Sequence, residues 1–227
     1  MTKRSFFGAA AVVAAVALTG SALVASNMGF KLNYSLDQTG APVPGGTSKF
    51  GINTLSLPDN RQSGLTTSID LMNDIGFAGT ANIQRFIESS DGLEVYTGRK
   101  GSPNLNFPLA TGDAYFVTMT TTTPYIVVGS DDPAVTYPLN AIQAGVSKSG
   151  TNFYSYNYHQ TAANSISLMN DIGFTSTANV QRYIESSNGL EVYTGRKGSP
   201  NADFPLVPGE GYFVVMTATV NYAPSHY

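Results

Sequence analysis

A long internal repeat constrains the fold of this chain more than any other feature of its sequence. Ser68–Val117 aligns without gaps on Ser165–Val214 at a constant offset of 97 residues, and 12 of the 50 aligned positions differ. Self-similarity of this length indicates that a complete folding unit was duplicated. We therefore expect two copies of one architecture.

The repeat continues upstream more weakly, and this extension sets the predicted boundaries. Gly51–Leu57 corresponds to Gly150–Tyr156. Domains usually hold roughly 100–150 residues, so 227 residues leave room for two small ones. We predict a first copy at 27–130 and a second copy at 131–227.

Alternating side chains predict strands in each copy. Phe30–Leu36 alternates apolar and polar residues, as a strand with one buried face does. Ile52–Leu57 predicts a second strand that ends before Pro58. Further strands are expected near Phe107–Leu109 and Tyr115–Thr121.

Each copy also predicts one short helix and one tight hairpin. In the first copy Thr66 or Thr67 caps the helix and Gly76 ends it, with apolar residues at helical spacing at Ile69, Met72 and Ile75, and Leu71 beside them. The hairpin turns contain Asp91-Gly92 and Asn188-Gly189, pairs that tolerate positive φ. The predicted fold is all-β with one short helix per repeat: two tandem, small, sandwich-like domains after an N-terminal signal peptide.

The N-terminus is typical of a secretory signal peptide. Lys3 and Arg4 precede an uncharged stretch, Phe6–Val24, that is rich in Ala, Val and Leu. Small residues at its end favour cleavage before Asn27, so we predict a signal peptide at 1–26 and an exported protein that is extracellular, on the cell surface or in the periplasm. The alternative is an uncleaved anchor, because the apolar stretch approaches the ~20 residues that span a bilayer. No membrane span is expected after cleavage.

Composition excludes several kinds of function. The chain has no Cys, so disulfides, thiolate metal sites and cysteine nucleophiles are excluded. Without Lys3 and Arg4 the mature chain has a net charge of about −5, which disfavours nucleic acid as a partner. No cofactor is expected. Asp131-Asp132 at the junction offers too few oxygen ligands for Ca²⁺, so we predict no metal site.

The order of motifs resembles a repeat found in bacterial secreted and cell-surface proteins, which often accompanies fibronectin type III or other immunoglobulin-like modules. The resemblance rests on an Asn-x-Leu-x-Leu-Pro segment, a short helix, a hairpin and Pro208–Val214, which reads Pro-Gly-Glu-Gly-Tyr-Phe-Val. The first copy departs at Thr111–Val117, and only the first copy keeps Leu55–Pro58. The resemblance implies an exported, modular and non-catalytic protein.

Catalytic machinery is not indicated. The two histidines, His159 and His226, have no predictable partner, and no Gly-x-Ser-x-Gly segment is present. Glu88 and Glu94 lie on facing hairpin strands, which raises the alternative of a carbohydrate-active enzyme with paired carboxylates. We favour a cross-strand ion pair of Glu94 with Arg85, repeated in the second copy, and predict no enzymatic activity.

Two sets of residues are candidates for contact with a partner. The first is the pair of identical Gly- and Pro-containing loops with adjacent cations, Arg99, Lys100, Arg196 and Lys197. The second is an aromatic stripe of alternating residues, Tyr154, Tyr156 and Tyr158, which is either a contact surface or a core face with Tyr158 at its rim.

The sequence thus predicts a non-catalytic structural or surface protein that contacts other protein subunits or surface polysaccharide. Self-assembly into a homo-oligomer, by pairing Phe30–Leu36 with a neighbour's sheet edge, is one mechanism. Ligand capture by the twin basic loops is another. The alternative function is a carbohydrate-active enzyme or a carbohydrate-binding module.

Overall fold

A computed structural model describes residues 29–98, 106–195 and 203–226. The described chain is mostly β, with 46% of its residues in strands and 10% in helices. The predicted all-β, sandwich-like fold with one short helix per repeat is therefore confirmed. The predicted signal peptide lies outside the described residues.

The first copy is built from two antiparallel sheets, a small hairpin and one helix. Its elements are β1 (Phe30–Leu36), β2 (Pro42–Val43), β3 (Gly46–Thr47), β4 (Ile52–Ser56), β5 (Asn60–Arg61), α1 (Ser68–Ile75), a 3-10 turn (Phe77–Gly79), β6 (Thr80–Ile87), β7 (Gly92–Tyr96), β8 (Ala114–Met119) and β9 (Thr123–Ser130). The four-stranded sheet has the order β4-β8-β6-β7, the three-stranded sheet has the order β1-β9-β5, and β2 pairs with β3.

The second copy repeats the four-stranded sheet and shortens its partner. Its elements are β10 (Tyr137–Leu139), β11 (Thr151–Ser155), α2 (Ser165–Ile172), β12 (Thr177–Ile184), β13 (Gly189–Tyr193), β14 (Gly211–Met216) and β15 (Val220–Tyr222). The order β11-β14-β12-β13 matches the first copy strand for strand, whereas β10 and β15 alone form the second layer. The boundary between residues 130 and 131 stays a prediction.

Local signals in the sequence explain the turns. Asp91 and Asn188 adopt positive φ values of 56° and 55° in their hairpin turns, as the Asp-Gly and Asn-Gly pairs predict. Thr67 caps α1, and its backbone N–H donates to the Asp70 carboxylate at 2.9 Å. Gly76 ends the helix.

Two local predictions need correction. Leu71 is fully buried on α1, whereas Ile69 is only partly buried, because the helix turns its Leu71–Met72–Ile75 side towards the sheet. No strand forms at Phe107–Leu109; only an isolated bridge pairs Pro108 with Thr67. Proline lacks the N–H that would continue a ladder.

Each copy has its own apolar interior. In β8, Tyr115, Val117 and Met119 point into the core of the first copy, which also contains the inner face of α1. The equivalent residues of β14, Tyr212, Val214 and Met216, point into the core of the second copy. One face of each central strand therefore closes its own sandwich.

The opposite faces of the two four-stranded sheets pack on each other. Phe116 of the first copy and Phe213 of the second belong to one shared cluster with Phe153 and Ala114. The ring of Phe153 stacks on Phe116 at 4.6 Å and on Phe213 at 4.4 Å between centroids. We call this set the shared layer.

Contacts across the shared layer are reciprocal. Phe86 meets Phe213 edge-on at 5.5 Å, and its counterpart Tyr183 meets Phe116 edge-on at 5.7 Å. Reciprocity of this kind defines an isologous interface, here between two copies within one chain. A pseudo-two-fold axis therefore relates the copies.

Backbone hydrogen bonds follow the same pseudo-symmetry. Ser56 N donates to Gly209 O at 2.7 Å, and Ser155 N donates to Gly112 O at 2.9 Å. Two further bonds form a second reciprocal pair: Lys49 N to Glu185 O at 3.0 Å, and Lys148 N to Glu88 O at 2.8 Å. The two copies are thus joined at several points besides their apolar faces.

Replacing Phe116 by Ala tests the shared layer. Phe116 is 7% exposed, and truncating a buried Phe to Ala costs about 3–5 kcal/mol of unfolding free energy. Phe50→Ala is the control, because Phe50 is 49% exposed and surface changes stay within about 0.5 kcal/mol. Urea denaturation measures both. Equal small losses would mean that the shared layer does not form in solution.

Candidate functional site

The twin basic loops begin on equivalent supports. Gly98 has φ +67°, and a Cβ built on it would lie 2.5 Å from Phe77 Cε2 and 3.1 Å from Met72 Sδ. Gly195 has φ +66°, and its Cβ would lie 2.6 Å from Phe174 Cε2. At both positions only glycine lets the backbone pass this close to the aromatic ring.

The loops also end on equivalent supports. Asn106 Oδ1 accepts hydrogen bonds from Ser68 Oγ at 2.9 Å and Ile69 N at 3.0 Å, in the first turn of α1. Asp203 takes this role in the second copy, accepting from Ser165 Oγ at 2.6 Å and Ile166 N at 3.0 Å. The exchange keeps the oxygen acceptor that the helix start requires.

We name these supports the first seat and the second seat. Residues 99–105 and 196–202 run between the two ends of each seat, so the predicted contact residues Arg99, Lys100, Arg196 and Lys197 lie outside the described residues. The first seat consists of Met72, Phe77, Gly98 and Asn106, and the second seat of Met169, Phe174, Gly195 and Asp203.

The two seats lie on opposite outer layers of the molecule. α1 packs its buried residues into the core of the first copy, and α2 packs its own into the core of the second. The shared layer lies on the other face of each four-stranded sheet. Both four-stranded sheets therefore separate the first seat from the second.

The tyrosine stripe belongs mainly to the interior. Tyr154 is 1% exposed and Tyr156 is 3% exposed. Tyr154 Oη donates to Gln160 Oε1 at 2.6 Å, and burial raises the pKa of Tyr154 well above its usual value. Tyr158 is 43% exposed and stacks on Phe30 of the first copy at 5.2 Å. Tyr154 and Tyr156 thus form a core face with Tyr158 at its rim.

The hairpin carboxylates are held by arginines. Arg85 Nε lies 2.5 Å from Glu94 Oε2, and Arg182 Nε lies 2.6 Å from Glu191 Oε2, directly across the strands. Each guanidinium also covers an aromatic ring, with Arg85 Cζ 4.9 Å from the centre of Phe107. These ion pairs are the cross-strand pairs that the sequence predicts.

Equivalent glutamates on the two sides of the pseudo-two-fold axis have different neighbours, and the sequence does not predict this difference. Glu88 Oε2 accepts a hydrogen bond from Asn140 Nδ2 at 3.0 Å across the interface. At its counterpart Glu185, burial together with the charges of Asp37 and Glu210 raises the pKa to about 7. Asp37 and Asn140 occupy equivalent positions, one residue after β1 and β10. The same glutamate thus has an amide partner in one copy and a charged neighbour in the other.

Glu185 lines a small cleft between the copies. Its walls enclose about 180 Å³ and come from Val43 and Pro44 of the first copy and from residues 182–185 and Glu210 of the second. Small-molecule sites usually enclose ~300–1,000 Å³. The cleft is therefore smaller than a usual small-molecule site.

A second polar cluster lies where the chain passes between the copies. Asp59 Oδ1 accepts from Tyr137 Oη at 2.7 Å and from Asn157 Nδ2 at 2.9 Å. Burial raises the pKa of Asp59 to about 6; the hydrogen bond from Tyr137 opposes this rise, and the Asp131 carboxyl adds to it. His226 Nδ1 lies 2.8 Å from Asp131 Oδ2, so this histidine does have a partner.

Sequence spacing could not reveal this cluster, because its members are far apart along the chain. It joins the end of the chain to the junction between the copies, and Asp131 is only 3% exposed. This pair, with Asp131 buried and Asp59 partly buried, fixes the position of the chain at the junction.

The described residues carry two further findings. They contain no group of three or more His, Cys, Asp or Glu side chains placed to hold a metal ion. No helix among them is long and apolar enough to cross a membrane.

Acidification is expected to strengthen the contact between the copies. Because the folded pKa of Glu185 exceeds its ordinary value of 4.5, the folded state holds an extra proton between about pH 4.5 and pH 7. Stability contributed by this group is therefore lost as the pH rises through that range. Carboxyl NMR should show Glu185 titrating near pH 7, and clearly lower in Asp37→Asn.

The matched control is Asn140→Asp, which places a charge beside Glu88. It should raise the pKa of Glu88 further and leave that of Glu185 unchanged. An unchanged Glu185 titration in Asp37→Asn would contradict the assignment of the facing charge.

No family model, curated protein or solved structure matches this chain. Its function is therefore inferred from the geometry of the two seats.

Proposed function

We propose that the protein is a non-catalytic, exported structural or surface module of a bacterium that contacts proteins or glycans through its twin loops. The observation that carries the proposal is the pair of equivalent seats on opposite outer layers of one scaffold. Each seat places equivalent residues at both ends of its loop.

Charge favours an anionic partner. The chain is acidic, with a net charge of −3 at pH 7, yet each loop places an Arg beside a Lys. Adjacent cations in an otherwise acidic protein localise attraction for an anion at the loops. Acidic surface polysaccharide and acidic patches of other subunits share this chemistry.

The non-catalytic part of the proposal is supported by the positions of the polar groups. Glu94 and Glu191 are held in ion pairs by arginines, and His226 lies against a buried aspartate. The cleft beside Glu185 is smaller than a usual small-molecule site. These groups stabilise the fold and the contact between copies.

Self-assembly through the first strand is supported only by the position of β1 at the edge of its sheet. β1 pairs with β9 along its whole length, from Phe30 with Gly129 to Leu36 with Thr123. Among the described residues its other side has no strand partner. Assembly would therefore add a neighbour's strand to the outer edge of β1 and would not require β1 to leave its own sheet.

Removing the four loop cations tests the proposed contact. The variant Arg99→Ala/Lys100→Ala/Arg196→Ala/Lys197→Ala should bind polygalacturonate at least about tenfold more weakly, a loss of roughly 1.4 kcal/mol. Binding by the unmodified protein should also weaken with salt. Calorimetry with neutral dextran as the comparison measures both effects.

The control for charge removes three exposed lysines outside the loops, Lys31, Lys49 and Lys148. Their replacement by Ala should leave binding within about twofold. Equal losses in both variants would show that net charge, and not the loops, determines binding.

If the signal peptide is cleaved during export, the mature protein has a defined N-terminus. Expression with secretion should yield a chain that begins at Asn27, read by intact-mass spectrometry of the secreted fraction. A cell-bound chain that retains residues 1–26 would contradict cleavage and favour the anchor.

A further inference from the structure

A groove between the two copies adjoins the shared layer. It encloses about 270 Å³, and its apolar walls are Phe86 of the first copy with Leu190 and Phe213 of the second. Phe86 and Phe213 meet edge-on at 5.5 Å, and Leu190 is 49% exposed. A cavity of about 150 Å³ lined by apolar side chains holds a benzene molecule. The groove therefore has room for one aromatic ring.

The rim of the groove is polar, and its side chains are linked by hydrogen bonds. Ser149 Oγ donates to Asp91 Oδ1 at 2.7 Å. Thr151 Oγ1 lies 2.7 Å from Ser149 Oγ, so the Thr151 hydroxyl is the donor in that bond. The chain of hydrogen bonds ends on the Asp91 carboxylate, which lines the groove. A carboxylate accepts several hydrogen bonds, so Asp91 can accept a further one from a ligand.

The equivalent positions across the pseudo-two-fold axis carry larger side chains. Phe50 corresponds to Ser149, and Ile52 corresponds to Thr151. Ile52 packs against the shared layer. The groove side of the interface therefore lacks a phenyl ring and an apolar branch that the other side has. Its volume is the space that these smaller residues leave.

The second copy shows how a phenol hydroxyl fits this geometry. Tyr183 is the counterpart of Phe86, and its Oη donates to Asn188 Oδ1 at 2.7 Å. Asn188 is the counterpart of Asp91. Because Phe86 has no hydroxyl, it makes no such bond to Asp91. A ligand that carries a hydroxyl can supply the donor that the groove side lacks.

We propose that the groove binds a small uncharged phenol, with its ring against Phe86, Leu190 and Phe213 and its hydroxyl donating to Asp91. Apolar walls with one polar group that fixes orientation are the usual composition of a small-molecule site. An anionic ring such as benzoate is disfavoured, because its carboxylate would face the charge of Asp91. This inference goes beyond the proposed function and uses none of the residues of the twin basic loops.

A titration with p-cresol, followed by methyl NMR, tests the site. The Leu190 methyls should shift and saturate, whereas those of the equivalent Leu93 should not. Toluene should bind severalfold more weakly than p-cresol because it lacks the hydroxyl, and benzoate should not bind. Equal shifts at both leucines, or no saturable shift at Leu190, would overturn the proposal.

Exchanging residues between the two sides gives matched variants. Ser149→Phe/Thr151→Ile gives the groove the side chains of the other side and should abolish binding. The reverse exchange, Phe50→Ser/Ile52→Thr/Tyr183→Phe/Asn188→Asp, should create a second site that is detected at Leu93. Binding that survives the first exchange would show that p-cresol lies elsewhere.

Phe86→Tyr changes one atom and guards against loss of the fold. Its new hydroxyl should bond to Asp91, as Tyr183 bonds to Asn188, and should reduce p-cresol binding to the level of toluene. Urea denaturation identifies any exchange variant that does not fold. The peptide Gly-Tyr-Gly separates a free phenol from a tyrosine of a partner protein. Binding of this peptide without binding of p-cresol would make the groove a docking pocket and overturn the proposal.

Discussion

Aromatic packing between the two four-stranded sheets determines the arrangement of the whole molecule. Phe153 stacks on both Phe116 and Phe213, and the rings of Phe86 and Tyr183 add edge-on contacts across the layer. Because this layer occupies the second face of both sheets, each helix and each seat is directed outward. The positions of the candidate sites therefore follow from a contact that involves none of their residues.

Much of the fold could be predicted from local patterns, since strands, turns and caps depend on neighbouring residues. Phe30–Leu36 alternates and forms β1 with the predicted bounds, and Asp91 takes its turn conformation as its pairing with Gly92 suggests. The shared layer was missed, although a signal for it exists. Ala114–Met119 is apolar at nearly every position, which is typical of a strand buried on both faces.

The candidate site was predictable only in part. Identical loops in both copies identify the basic residues, but no sequence pattern shows that Gly98 lies against Phe77, 21 positions earlier. The cluster of Asp59, Asp131 and His226 could not be predicted for the same reason, because contacts between distant segments depend on the completed fold. Tyr154 and Tyr156 were recognised in the sequence, but the sequence left open whether they are buried. An alternating aromatic stripe has the same sequence pattern whether its face is exposed to solvent or buried, and only the packing in the fold distinguishes the two.

Because the two copies are joined in one chain, the two halves of their interface can differ in sequence. The two halves of a symmetric homodimer interface cannot. In a homodimer every interface residue occurs twice. An aspartate that faces a glutamate in one subunit would therefore also face the equivalent glutamate of the other subunit. Here Asp37 on one side corresponds to Asn140 on the other, and one glutamate accepts an amide hydrogen bond while its twin meets a charge. Joining the copies in one gene lets a single point change alter half of the interface and leave the other half unchanged.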